Sequence, residues 1–161
     1  MVEALWQEQR LVGGRRQAAV AALAGLAVAG VGGVTYWQSQ VCAGAELSMA
    51  EVWGAAARQE VEAAFQATGS PLAPEMFHRA SRVLDQYTAA WARQSTEACE
   101  ATRVREVQTE ALLSQQVVCL ERRRKALQAL VKVLAEVDPK DVEKSLDAVH
   151  ALPSPRGWPG S

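Results

Sequence analysis

Apolar positions along this chain recur at helical spacing almost from end to end, and no window alternates apolar and polar residues with strand formers. The expected class is all-α: one transmembrane helix followed by a small hairpin or bundle domain of about four helices. The first apolar run is continuous. Between Arg16 and Glu46 there is no Lys, Arg, Asp or Glu, and residues 18–37, AAVAALAGLAVAGVGGVTYW, match the ~20 apolar residues that a bilayer-spanning helix needs. Tyr36 and Trp37 mark one edge, where amphipathic rings favour the headgroup zone, and Arg10, Arg15 and Arg16 crowd the other. This asymmetry predicts a cytoplasmic arm at residues 1–17, a transmembrane helix at 18–37 and export of the remainder, with the protein in the inner membrane as a single-pass chain. A cleaved signal peptide is the rival, because Ala43-Gly44-Ala45 has the small-residue form that a signal peptidase accepts, with release after Ala45. The apolar run exceeds the roughly 7 to 15 residues of such signals. A lipoprotein signal is disfavoured by the bulk of Val41 before Cys42, and a buried core helix is the remaining alternative.

Beyond the run, the expected helical domain spans residues 46–152. Ser48 and Glu51 have capping-box spacing, and Leu47 and Val52 flank it at staple positions, so the first helix is expected to open there. Trp53, Ala57, Val61, Ala64 and Phe65 form its apolar face, and Gly69 followed by Pro71 ends it. Pro74 suits the first turn of a second helix, along which Phe77, Ala80, Leu84, Tyr87 and Trp91 continue the stripe. Leu113, Leu120, Leu127 and Leu134 then repeat every seven residues, with Val117 and Val131 beside them. Asp138 and Pro139 supply an N-cap and a first-turn proline for a short last helix carrying Val142, Leu146 and Val149. Pro153 and Pro155 stop it, and residues 153–161 are expected to be a disordered tail.

Between Glu75 and Val137 there is neither Gly nor Pro, so periodicity alone leaves open one rod of ~90 Å or two helices. A compact domain requires a break, and the polar, β-branched region 102–109 is the place for it. Leu84 and Trp91 would then pack against Leu120 and Leu127. The same fold would place Cys99 and Cys119 on facing helices, where export to an oxidising compartment makes them a candidate disulfide, leaving Cys42 over. Burial as small apolar residues is the equal alternative for this pair.

Composition narrows the chemistry. With 161 residues, one short anchor and one small domain fit, and a formal net charge of −1 gives no global attraction to nucleic acid. Arg122-Arg123-Arg124-Lys125 reads as a solvated helix side with Glu121 able to pair Lys125, so nucleic acid is not an expected partner. His78 and His150 lie apart without metal-ligand spacing, so neither metal nor cofactor is expected. The heptad leucines admit a coiled coil, but Arg124 at a seam position favours packing within the domain. Ala21, Gly25, Ala29 and Gly33 repeat small residues every four positions in the apolar run, a candidate helix-dimer face that an Ala-rich composition also produces. Expected partners are therefore membrane lipid, a second copy through that helix, and proteins through the helical domain.

A series of short strings carries a family resemblance. Cys42-Ala43-Gly44-Ala45-Glu46 precedes Val52-Trp53; Tyr87 and Ala89-Ala90-Trp91 follow; then come Thr96-Glu97-Ala98-Cys99-Glu100-Ala101-Thr102-Arg103-Val104-Arg105, Cys119-Leu120-Glu121-Arg122-Arg123 and Ala151-Leu152-Pro153. In this order they resemble the region just after the transmembrane helix of myxobacterial-type receptor serine/threonine protein kinases with tetratricopeptide repeats. The resemblance covers residues 15–153 and implies a helical linker between a cytoplasmic kinase and an external repeat array, with a role in signalling by association. The chain departs from that pattern in two places. Glu106-Val107-Gln108-Thr109 stands where members have Gly-Glu-Gln-Ser, and the further Cys that members carry after the Leu-Pro step is missing, which puts the partner of Cys42 in doubt. Phosphoryl transfer needs a glycine-rich loop, a strand lysine and two aspartates. Gly30-Val31-Gly32-Gly33 lies in the apolar run without a following lysine, and His78-Arg79-Ala80 lacks the catalytic Asp. The expectation is a non-enzymatic, membrane-anchored module, a truncated or remnant member of that family, with a secreted or periplasmic scaffold released after Ala45 as the alternative.

Overall fold

The computed structural model describes residues 40–154, and the apolar run, the candidate dimer face and the tail from residue 155 lie outside them. The described part is helical, with α1 at Ala45–Trp53, α2 at Ala55–Ala67, α3 at Ala73–Arg103, α4 at Glu110–Ala135, a 3-10 turn at Pro139–Asp141 and α5 at Ser145–His150. No helix among the described residues is long and apolar enough to cross a membrane. The expected combination of a transmembrane helix with a bundle is corrected accordingly, to an all-α fold with no spanning helix among the described residues. The long helices are ruled out by their own charges: α3 carries Arg79, Arg82, Asp85, Arg93, Glu97 and Glu100 along its length, and α4 carries Glu121, Arg122, Arg123, Arg124 and Lys125 at its middle.

α3 is the organising element, since α1, α2, α4 and α5 all pack on it. It begins where proline allows, with Pro74 in the first turn, and α2 ends before Gly69, whose φ of 67° is a left-handed conformation that glycine adopts freely. Thr68 secures that exit by donating from Oγ1 to the Phe65 carbonyl at 2.6 Å. The core joins Trp53, Val61, Phe65, Leu84, Trp91, Leu120, Leu127, Leu134, Val142 and Val149. Phe65, Leu84, Leu127 and Leu134 are almost wholly buried, each contributing about 1.5–3 kcal/mol relative to exposure. The antiparallel register of α3 and α4 is fixed by polar contacts as well. The buried Trp91 indole donates from Nε1 to the Leu120 carbonyl at 2.7 Å, and the Tyr87 hydroxyl meets the Arg123 carbonyl at 3.4 Å; the same hydroxyl donates to the Pro153 carbonyl beyond α5 at 3.1 Å.

Several boundaries differ from those the pattern predicts. α1 starts at Ala45 behind Gly44, so Ser48 lies inside the helix, its N–H bonded to the Gly44 carbonyl at 3.0 Å, and the Ser48–Glu51 pair caps nothing. Leu47 is 74% exposed, and no hydrophobic staple forms. The single first helix is instead two, broken at Gly54. A Cβ there would stand 2.2 Å from the Ala50 carbonyl oxygen, so only glycine lets α2 leave at this angle. The last helix is split too: Asp138 precedes a 3-10 turn without a side-chain cap, and α5 follows. In α4 the heptad leucines are all buried, whereas Val117 is 52% exposed. Glu121 pairs with Arg124 at 2.8 Å rather than with Lys125.

Candidate functional site

Three side-chain constellations stand out from the helical packing, and each sits where the chain changes direction. The first surrounds Gly54. Because the missing Cβ allows a sharp bend, Trp53 at the end of α1 and Arg58 in α2 both reach Asp85 on α3. The Trp53 indole donates to Asp85 Oδ1 at 2.9 Å, and Arg58 forms an ion pair with the same oxygen. The Arg58 guanidinium also lies over the Trp53 ring, 5.2 Å from its centroid, so one carboxylate fastens three helices.

The second is the α3–α4 turn at residues 104–109, within the region expected to hold the break. Glu106 there has a φ of 54°, a left-handed conformation that glycine would adopt without steric cost. The turn is held from both sides. Arg105 folds back onto α3, paired with Glu97 and with Glu100 at 3.2 Å. Gln108 donates to Thr102 Oγ1 at 3.0 Å and to Gln116 Oε1 at 2.6 Å, bridging the two helices. Thr109 then caps α4 by accepting from the Leu112 N–H at 3.3 Å. The polar residues of the Thr96-to-Arg105 string thus brace the turn.

The third is a disulfide, and its pairing differs from the expected one. Cys42 is bonded to Cys99, with α-carbons 5.7 Å apart, and Cys119 is a free, half-buried thiol. Register explains the correction. Cys99 lies about one and a half helical turns before the loop and Cys119 nearly three turns after it, an axial mismatch of about 7 Å. Equal offsets, which the Cys99–Cys119 pairing required, do not hold. Closing a 57-residue separation limits the unfolded chain by about 4 kcal/mol.

Few groups are electrically perturbed. Hydrogen bonding to Arg124 holds the Glu121 carboxyl below its ordinary range, and burial raises the Tyr87 phenol, with Arg123 offsetting part of that rise. His78 and His150 are both exposed and lie on different helices. No three His, Cys, Asp or Glu residues among those described gather where a metal ion could sit. No family model matches the chain, and neither a curated protein nor a solved structure matches it.

Proposed function

We propose that the chain is a non-catalytic helical module working in an extracytoplasmic compartment, where it serves signalling by association as the linker region of the receptor kinases it resembles would do. The Cys42–Cys99 bridge carries this reading, because such bonds persist where the surroundings are oxidising. The braced turn supports it: an α3–α4 hairpin with fixed register is suited to relaying a change in one neighbour to another. Release by cleavage after Ala45 fits less well, since it would separate Cys42 from the domain before its bond to Cys99 formed.

Thiol trapping in cells producing the full chain tests the proposal. Alkylation of unreduced protein, followed by mass mapping, should modify Cys119 and leave Cys42 and Cys99 blocked. Alkylation of all three would place the chain in a reducing compartment and overturn the reading.

A further inference from the structure

Between α3 and α5 lies an open depression of about 340 Å³, lined by Arg79, Arg82, Val83, Gln86, Leu146 and His150. The four α3 residues fall at spacings of three, four and seven, which align them on one stripe of the helix. The facing wall is held firmly despite the shortness of α5. Val142 just before the helix and Val149 within it are each 1% exposed, and the Tyr87 hydroxyl ties down the following Pro153 carbonyl. The groove's width is therefore set by the core and not by the ligand.

Its charge is one-sided. Arg79 is already engaged by Glu75 at 2.6 Å, at the end of the stripe nearer the start of α3. Arg82 has no ion pair among the described residues, and Glu143 and Asp147, the carboxylates nearest in sequence to the α5 wall, do not line the depression. A guanidinium offers two parallel N–H donors matched to a carboxylate, a side-chain amide and an imidazole add single donors, and Val83 and Leu146 contribute apolar surface between them. We propose that this groove binds a small organic carboxylate with a short apolar body. Arg82 holds the carboxylate, Gln86 and His150 complete its hydrogen bonding, and Val83 and Leu146 receive the carbon chain. The site is independent of the association role proposed above.

Titration of ¹⁵N-labelled full chain with sodium hexanoate, replacing chloride at constant ionic strength, tests this by NMR. Saturable shifts should be confined to residues 79–86 and 146–150. Arg82→Gln should weaken binding at least fivefold, while Arg93→Gln, which changes an exposed guanidinium lining a different depression on α3, should leave it unchanged. Both positions are exposed, and circular dichroism will verify that each variant is folded. No saturable shift, or equal affinity in Arg82→Gln, would overturn the site. Hexanol producing the same shifts as hexanoate would remove the charge from the mechanism, and inorganic phosphate binding as tightly as hexanoate would remove the apolar floor.

Discussion

At Gly54 the chain bends through a residue with no side chain, whereas at residues 104–109 it turns through Glu106 and holds the turn with side chains on both flanks. The first bend is enforced by backbone proximity: nothing larger than hydrogen fits beside the Ala50 carbonyl. The second is enforced by contacts, with Arg105 and Gln108 bonded to α3 and α4, and its backbone carries an unfavourable left-handed Glu106. A bend of the first kind tolerates no substitution at its one position. A bend of the second kind distributes its stability over several residues, each dispensable to a degree.

The largest expected effect follows directly. Gly54→Ala should destabilise the domain by about 3 kcal/mol, because the clash is with backbone and no side chain can move aside. Thermal unfolding should show a midpoint lowered by more than about 10 °C. An unchanged midpoint would mean that the α1–α2 angle is not forced.

At the other bend, Gln108→Ala removes both bridging hydrogen bonds and leaves Thr102 Oγ1 bonded only to its own helix, through the Ala98 carbonyl at 3.1 Å. A loss of about 1–1.5 kcal/mol is expected in urea unfolding, with the denaturant slope unchanged. A loss as large as that from Gly54→Ala would erase the distinction between the two bends. Glu106→Gly should act in the opposite direction, stabilising by about 0.5–1 kcal/mol, as relief of the left-handed conformation outweighs the added freedom of the unfolded chain. A destabilised Glu106→Gly protein would show that the Glu106 side chain matters more than its backbone.

The smallest effect concerns Tyr87, which connects the α3–α4 hairpin to the segment after α5. Its phenol is held above the ordinary value by burial, so the folded state favours the protonated form. That contribution is complete below the ordinary pKa near 10 and is lost as the pH rises through the higher folded value. Ultraviolet titration should find Tyr87 ionising above a free phenol, and Tyr87→Phe should flatten the alkaline end of the stability profile. A Tyr87 that titrates like free phenol would contradict its burial.

Sequence periodicity made the second bend legible and hid the first. Around residues 102–109 the apolar stripe lapses, and a compact domain had to fold there. Across Gly54 the stripe does not lapse, since Trp53, Ala57 and Val61 keep helical spacing, and a lone glycine in a helix costs only about 1 kcal/mol. The close approach is to the carbonyl of Ala50, four residues back in the same helix, and arises from the extended backbone of Gly54, which apolar periodicity does not report. The Ser48–Glu51 spacing misled for a related reason: it matches a capping box but lies within a helix that begins three residues earlier. Helix faces carried by Leu84, Trp91, Leu120 and Leu127 were readable because burial at both ends of each pair demands them. The disulfide partner was not, because it depends on axial register along α3, and the same sequence pattern accommodates either partner for Cys99. Asp85 was missed as a joint between three helices, since its partners Trp53 and Arg58 lie 32 and 27 residues away.

The position of the Cys42–Cys99 bond has a mechanical consequence. Tension applied to the chain ahead of Val41 enters at Cys42 and crosses directly to Cys99, close to the α3–α4 turn, so that α1, α2 and most of α3 lie inside a covalent loop that bears no load. A pull from that side cannot peel α1 from the bundle while the bond is intact. The load instead runs through the braced end of α3 into α4 and toward Pro153, which makes that hairpin the mechanical element of the domain and the looped helices its passive ballast.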